Sequence, residues 1–182
     1  MSDDKTGQHP LKLLREIELR SRRFAVGLPQ QEEMLKKWSG IGFSVDNYQL
    51  VAPLGDVSEI LEYPTLSIVP GVKNWVKGVS NVRGNLLTII DLQGYICGEN
   101  TKINRRSRVL VIEKNSIQVG LLVSKMFGMK RFFDDYDEQL TSKYDGIVGD
   151  CVVGEIEVED DLWGVFSMGE LAQQNEFMQV SL

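Results

Sequence analysis

The side chains that most often perform catalysis or bind metals are scarce in this chain. Its 182 residues include one histidine, His9, and two cysteines, Cys97 and Cys151. A serine or cysteine hydrolase needs an imidazole held against its nucleophile, whereas His9 lies in a polar N-terminal stretch. The cysteines lack the paired spacing of a zinc site or a disulfide framework. The sequence therefore predicts no catalytic, metal or cofactor site, and both cysteines are interpreted as reduced thiols of a cytosolic protein.

A cluster of four acidic residues is the remaining candidate for metal chemistry. Asp134, Asp135, Asp137 and Glu138 could bind a divalent cation, but no properly placed glycine and twelfth-position glutamate follow, as a calcium loop requires. An enzyme built on these carboxylates, or on a lysine, remains a rival hypothesis. The scarcity of catalytic and metal-binding side chains favours a protein that is not an enzyme.

Charge and hydropathy exclude further classes of protein. The chain has 26 acidic and 20 basic residues and a net charge of -6, which makes a nucleic-acid partner a poor candidate because phosphate binding needs a concentrated basic face. No apolar run approaches the roughly 18 residues of a membrane span, and the polar N-terminus has no secretory h-region. We therefore expect a cytoplasmic protein without direct membrane insertion.

The charges are nevertheless unevenly distributed along the chain. Residues 102–108 hold Lys102, Arg105, Arg106 and Arg108 without an acid, whereas residues 134–161 hold eleven acids against one base. Solvated loops are the usual explanation for such runs, and surfaces that face a partner are the alternative.

The first 40 residues have a helical pattern. Residues 10–24 place apolar side chains on one face, and after Pro29 the residues Met34, Leu35 and Trp38 predict a second short helix that ends at Gly40. We expect a tail and helical extension over residues 1–40. It would be either a structural cap on the main domain or a basic arm that binds a partner.

From Ile41 onward, short β-rich runs alternate with turns, which is typical of a barrel or sandwich. Two helical patches interrupt them: Asp91–Cys97, with Asp91 as N-cap and Gly98 as stop, and Ser167–Asn175. The predicted strands are Gly42–Val45, Gln49–Pro53, Val57–Leu61, Val76–Val82, Leu86–Ile90, Arg108–Glu113, Gln118–Val123, Gly128–Phe132, Val148–Val158 and Leu162–Phe166.

The stretch Ile68–Gly98, IVPGVKNWVKGVSNVRGNLLTIIDLQGYICG, carries a set of ordered features. A proline-led turn at Pro70 is followed by Gly78, the run Asn81-Val82-Arg83-Gly84, an apolar strand and Asp91-Leu92. This pattern closely resembles the signature of the CheW-like family of chemotaxis adaptors. The resemblance covers residues 41–174, and the leader before Trp38–Phe43 is similar to that of adaptors in the systems that control type IV pili and twitching motility.

The resemblance implies a mainly β fold, a CheW-like pair of intertwined five-stranded β-barrels over residues 41–174, with an N-terminal helical extension, short helices and a C-terminal tail over 175–182. It also implies a non-enzymatic signalling adaptor recruited to membrane receptor arrays. A groove between the barrels would receive the tip of a methyl-accepting-type chemoreceptor. Other surfaces would bind the regulatory domain of a CheA-type histidine kinase.

The same resemblance supplies candidate residues for the receptor-binding site. They are Val57, Glu59, Asn81, Arg83, Val109 and Val123. Asn81 and Arg83 could instead hold a barrel corner together, as could Asp91, and each valine could be plain core. The chain departs from the family where Ser124-Lys125 follows Val123, since an acid is usual there.

Two further hypotheses concern function rather than fold. A CheW-like scaffold could bind a different set of partners, because such domains also occur in receiver fusions and in kinases. An isolated β-barrel could instead bind a small ligand, although no polar pocket set is evident in the sequence.

Overall fold

The computed structural model describes residues 38–114, 117–132, 143–158 and 161–181. Ten strands and four short helices form in this part of the chain. The strands are β1 Trp38–Val45, β2 Tyr48–Pro53, β3 Val57–Glu62, β4 Val76–Val82, β5 Asn85–Asp91, β6 Arg108–Lys114, β7 Ile117–Val123, β8 Lys125–Phe132, β9 Val152–Val158 and β10 Asp161–Phe166. The helices are α1 Leu92–Cys97, α2 Gly146–Cys151, α3 Met168–Gln173 and α4 Asn175–Met178, and a 3-10 turn covers Leu54–Asp56.

The strands form two five-stranded sheets. Sheet 1 has the order β8-β1-β2-β10-β9, and sheet 2 has the order β3-β6-β7-β5-β4. The β2–β10 and β5–β7 pairs are parallel, and the other pairs are antiparallel. The chain enters sheet 1, builds all of sheet 2 and then returns to complete sheet 1. This topology confirms the predicted mainly β fold with two intertwined five-stranded units.

Each sheet has a small core of its own. In sheet 1, Phe132 and Ile156 come from the two outer strands and lie in the same cluster as Trp163. In sheet 2, Leu61 and Val82 likewise pack from the two outer strands onto one shared cluster. A sheet whose edges reach a common core must curl, because side chains on one face of a flat sheet diverge.

A larger central cluster joins the two sheets. Phe43 and Leu50 of sheet 1 lie in the same buried cluster as Ile90 and Leu121 of sheet 2. The short helices contribute residues such as Leu171 to this cluster. Neither sheet can therefore bury its second face without the other.

Two parts of the sequence-based assignment are wrong at the level of elements. Trp38 and Gly40 lie in β1 rather than at the end of a helix, because the Trp38 ring stacks on Phe132 with centroids 4.3 Å apart. Gly40 allows a close approach to the Ala52 carbonyl.

Residues 148–151, predicted as the start of a strand, lie in helix α2, where Val148 and Cys151 are buried three positions apart. Short apolar runs of this kind fit either periodicity.

The predicted C-terminal tail also differs from the structure. Residues Asn175–Met178 form α4, and Phe177 is only 3% exposed. Its ring lies 5.3 Å from the Tyr95 centroid and 6.2 Å from that of Trp75. Ser181 then pairs with Val72. The remaining predictions for residues 1–37, including the helical extension, lie outside the described residues.

We expect Phe177→Ala to lower the free energy of unfolding by about 3–5 kcal/mol, because it empties a packed aromatic site. Met178→Ala is the matched control, since Met178 is 52% exposed and should cost about 0.5 kcal/mol or less. Urea unfolding of both variants measures the difference. Equal, small losses would show that the C-terminal segment is a tail after all.

Burial of tyrosine hydroxyls links stability to alkaline pH. The Tyr144 hydroxyl is buried and has no hydrogen-bond partner within the described residues. Burial, and secondly the charge of Glu155, raise its pKa from 10.0 to about 12. The folded protein therefore holds this proton over a pH range in which the unfolded chain releases it. The resulting stability is complete below pH 10 and is lost as the pH rises towards 12.

We expect Tyr144→Phe to leave the free energy of unfolding at neutral pH unchanged or to raise it by up to about 1 kcal/mol, because it removes an unsatisfied polar group. The variant should also lose less stability than the wild type between pH 10 and 12. Urea titrations of both proteins at neutral pH and between pH 10 and 12 test this expectation. A pH dependence identical to that of the wild type would contradict it.

Candidate protein-interaction surface

The turn between β4 and β5 presents the most exposed of the predicted functional residues. Arg83 has a φ of 51°, in the left-handed region, and Gly84 follows with a φ of 90°. The Gly84 amide donates a 2.9 Å hydrogen bond to the Asn81 Oδ1 atom. Asn81 thus has the structural role that its residue type allows in such a turn, although its exposed side chain remains accessible to a partner.

An ion pair links this turn to the opposite edge of sheet 2. The Arg83 Nη2 atom lies 2.6 Å from the Glu59 Oε1 atom, and Glu59 is on β3. Because β3 and the β4–β5 hairpin lie at the two ends of the strand order, this contact joins the edges of the curled sheet. The Arg83 side chain is 79% exposed, so the pair itself stabilises the fold by at most about 1 kcal/mol.

A cleft of about 240 Å³ lies beside this ion pair. Leu87 and Val111 of the sheet 2 core form part of its lining, together with Asn85, Glu113 and Gln118. The lining combines apolar side chains with carboxylate and amide groups, which suits a polar side chain of a protein partner. It contains no His or Cys, and no metal-binding group of three or more His, Cys, Asp or Glu occurs among the described residues.

Val57 and Glu59 lie on different faces of sheet 2, although they are two residues apart. Val57 pairs with Ile112 and Glu59 with Val111, with a register shift between the two pairs. The shift occurs at Ser58, and a bulge of this kind reverses the faces expected from strand alternation. Val57 therefore packs against the central cluster, whereas Glu59 lines the cleft. Sequence spacing alone predicts that they share one face.

Val57 ends a row of side chains that crosses sheet 2. The register places it in line with Ile112, Val119, Thr88 and Val79. Val57, Thr88, Val119 and Val79 are each partly exposed, whereas Ile112 is buried. This row offers an accessible apolar surface next to the central cluster, on the opposite face from the cleft.

Two of the sequence candidates are not accessible. Val109 and Val123 both have no exposed surface. Val109 packs in the core of sheet 2 and Val123 in the central cluster. They cannot contact a partner without repacking of the core, so their assignment as groove walls is corrected to core.

One exposed apolar residue was missed by the sequence analysis. Leu86 is 72% exposed, pairs with Asn81 and is the second residue of β5, just after the Arg83 turn. Leu86 and Leu87 are consecutive in a strand, so one of them must point away from the core. That alternation is the signal that could have identified Leu86 as part of the surface.

The described residues contain no helix long and apolar enough to cross a membrane. The acidic cluster at residues 134–138 lies outside the described residues.

Comparisons with known proteins agree with this fold. A sequence profile of the CheW-like domain matches residues 39–176. The chain is 43% identical over the full length of both proteins to Protein PilI of Pseudomonas aeruginosa. It is 23% identical to the chemotaxis protein CheW of Thermotoga maritima over 57% of this chain and 68% of that protein.

A solved structure shows the same architecture. The scaffolding protein TtCheW of Thermoanaerobacter tengcongensis superposes with a TM-score of 0.65 at 18% identity, over 76% of this chain and 94% of that one. The chain belongs to the CheW-like family, a non-catalytic family of scaffolds and adaptors in chemotaxis-type signalling. Within that family it is similar along its whole length to PilI.

The Arg83 turn allows the roles of backbone and side chain to be separated. Arg83→Gly removes the guanidinium but relieves a left-handed conformation that costs a non-glycine residue about 1 kcal/mol. We therefore expect its free energy of unfolding to stay within about 1 kcal/mol of wild type. Gly84→Ala should lower the free energy of unfolding by about 1–2 kcal/mol, because a φ of 90° is strained for a residue with a Cβ. Steric contact adds nothing to this cost, since the Cβ would meet no atom within 4 Å. Urea unfolding compares the two, and a larger loss for Arg83→Gly would mean that the ion pair, not the backbone, holds this turn.

Proposed function

We propose that this protein is an adaptor that couples a chemoreceptor to a CheA-type histidine kinase in the chemosensory control of type IV pili. The full-length similarity to PilI carries the proposal, since it includes the leader as well as the CheW-like domain. The partners are a methyl-accepting-type receptor and the kinase's regulatory domain. The adaptor would act in the cytoplasm, at receptor arrays.

The geometry of sheet 2 is compatible with two partners. The cleft beside Arg83 and Glu59 and the apolar row that ends at Val57 lie on opposite faces of the same sheet. Two proteins can therefore contact sheet 2 without competing for the same side chains. We place the receptor contact on the cleft side, at Arg83, Glu59 and Asn81, with exposed Leu86 paired to Asn81. Val57, which the sequence assigned to the same contact, lies on the other face and is left to the second partner.

Coupling requires that binding of one partner depends on the state of the other. An adaptor with equal affinity for two kinase states shifts neither population, however tightly it binds. The Arg83–Glu59 pair is suited to such a dependence, because it links the two edges of sheet 2. Each contact needs only micromolar affinity, about -8 kcal/mol, since avidity within an array can maintain assembly.

The test is calorimetric titration of the full chain with the receptor's cytoplasmic tip and, separately, with the kinase regulatory domain. Wild type is expected to bind both. Arg83→Ala is expected to bind the receptor tip at least about tenfold more weakly, a loss of about 1.4 kcal/mol, and to bind the kinase domain unchanged.

Arg131→Ala is the matched control, because Arg131 is an exposed arginine on sheet 1. It should bind both partners as the wild type does. Circular dichroism establishes that each variant is folded. Absence of wild-type binding to both partners would refute the coupling proposal, and equal losses for both arginine variants would refute the assignment to Arg83.

A further inference from the structure

A cationic loop, residues 102–106, joins α1 to β6. Lys102, Arg105 and Arg106 are exposed, and no ion pair involves them within the described residues. Ile103, between them, is 48% exposed. Among the described residues, these three like charges within five positions form no contact that stabilises the fold, on a chain of net charge -6.

The loop is fixed at its first end by a buried carboxylate. Asp91 has no exposed surface. Its Oδ2 atom accepts a 2.9 Å hydrogen bond from the Thr101 amide, and its Oδ1 atom accepts one of 2.6 Å from the Thr101 hydroxyl. Hydrogen bonds to a carboxylate are about twice as strong as those between neutral groups, so Thr101 is held firmly.

The other end is fixed by Ser107, which is 1% exposed. Its hydroxyl accepts from the Asn104 amide at 3.0 Å and donates to the Ser124 carbonyl at 3.3 Å. Asn104 braces the middle, because its Oδ1 atom accepts from the Arg106 amide at 2.8 Å and its Nδ2 atom donates to the Lys102 carbonyl at 3.2 Å. The loop backbone is thus ordered without the use of any of its three cations.

This arrangement differs from that of an ordinary solvated charge run. A flexible charged loop must be ordered before it binds, at a cost in conformational entropy, whereas a braced loop avoids that cost. Each guanidinium can also form two parallel hydrogen bonds to a carboxylate. The cationic loop is therefore prepared to bind an anionic group.

The loop lies away from the Arg83 cleft. Arg108, two residues after it, begins β6 and pairs with Val123, whereas Glu113 near the other end of β6 lines the cleft. At about 3.3 Å per residue, the two sites are roughly 17 Å apart along the strand. A partner on the loop would leave the cleft accessible.

We propose that the cationic loop is a separate docking surface for a carboxylate-rich helix of a protein partner. Glutamates at i and i+4 of a helix lie on one face, about 6 Å apart, so a helix of this kind presents several carboxylates together to the three cations, and exposed Ile103 supplies an apolar contact. An extended anionic surface, such as a membrane, would also face the acidic remainder of the chain and be repelled. This proposal does not depend on the identity of the receptor or kinase.

The test uses the full chain and a synthetic helical peptide of about 20 residues with glutamates at i, i+4 spacing. A peptide with glutamine at the same positions is the uncharged probe. Arg105→Ser/Arg106→Ser is compared with Lys73→Ser/Arg131→Ser, which makes the same change of charge elsewhere. Binding is measured by amide chemical-shift titration at low and high ionic strength.

The glutamate peptide is expected to bind wild type, with shifts at residues 101–107, and to bind less well as ionic strength rises. The Arg105→Ser/Arg106→Ser variant should bind at least tenfold more weakly, a loss of about 1.4 kcal/mol, whereas the Lys73→Ser/Arg131→Ser variant and Arg83→Ala should be unaffected. Equal losses in the two double variants, shifts confined to other residues or no binding would overturn the proposal. So would Arg105-dependent sedimentation with phosphatidylserine vesicles in the absence of peptide binding.

Discussion

Asp91 places a carboxylate where it has no exposed surface, and several elements depend on it. Its side chain accepts hydrogen bonds from the Gly94 amide at 3.1 Å, which caps α1, and from both polar groups of Thr101. Its own amide donates to the Trp75 carbonyl at 2.7 Å. A buried charge is costly unless hydrogen bonds replace its hydration. The end of β5, the start of α1 and the cationic loop are therefore fixed together, since loss of any one of them removes hydrogen bonds from a buried carboxylate that also lies 3.9 Å from the Lys77 Nζ atom.

The order of strands makes the two sheets depend on each other. Sheet 2 is built entirely between β2 and β8 of sheet 1, and residues of both sheets meet in the central cluster. Displacement of one sheet would open apolar surface on the other, at about 25 cal/mol per Å². Coupling between partners on this scaffold is therefore better carried by small changes at edges and turns than by separation of the sheets. The Arg83–Glu59 pair lies at such an edge.

Much of the fold could be predicted from the sequence, because alternating apolar residues and turn signals report local conformation. The β4 strand and the capping of α1 by Asp91 and Gly98 were placed correctly. Features that depend on distant contacts could not be placed. From the sequence alone, Trp38 fits the last apolar position of a helix as well as a position in a strand, and its contact with the distant Phe132 decides for the strand. Phe177 likewise resembles a tail residue until Trp75 and Tyr95 surround it.

The candidate site shows the same limit at the level of single side chains. A family motif can indicate which residues matter, but only register decides which face each one occupies. A single bulge at Ser58 directs Val57 to the central cluster and Glu59 to the cleft. Glu59 can reach Arg83 only because of that bulge, since strict alternation would have placed it beside Val57 on the other face. The bulge at Ser58, rather than the regular part of β3, therefore places Glu59 where it can pair with Arg83.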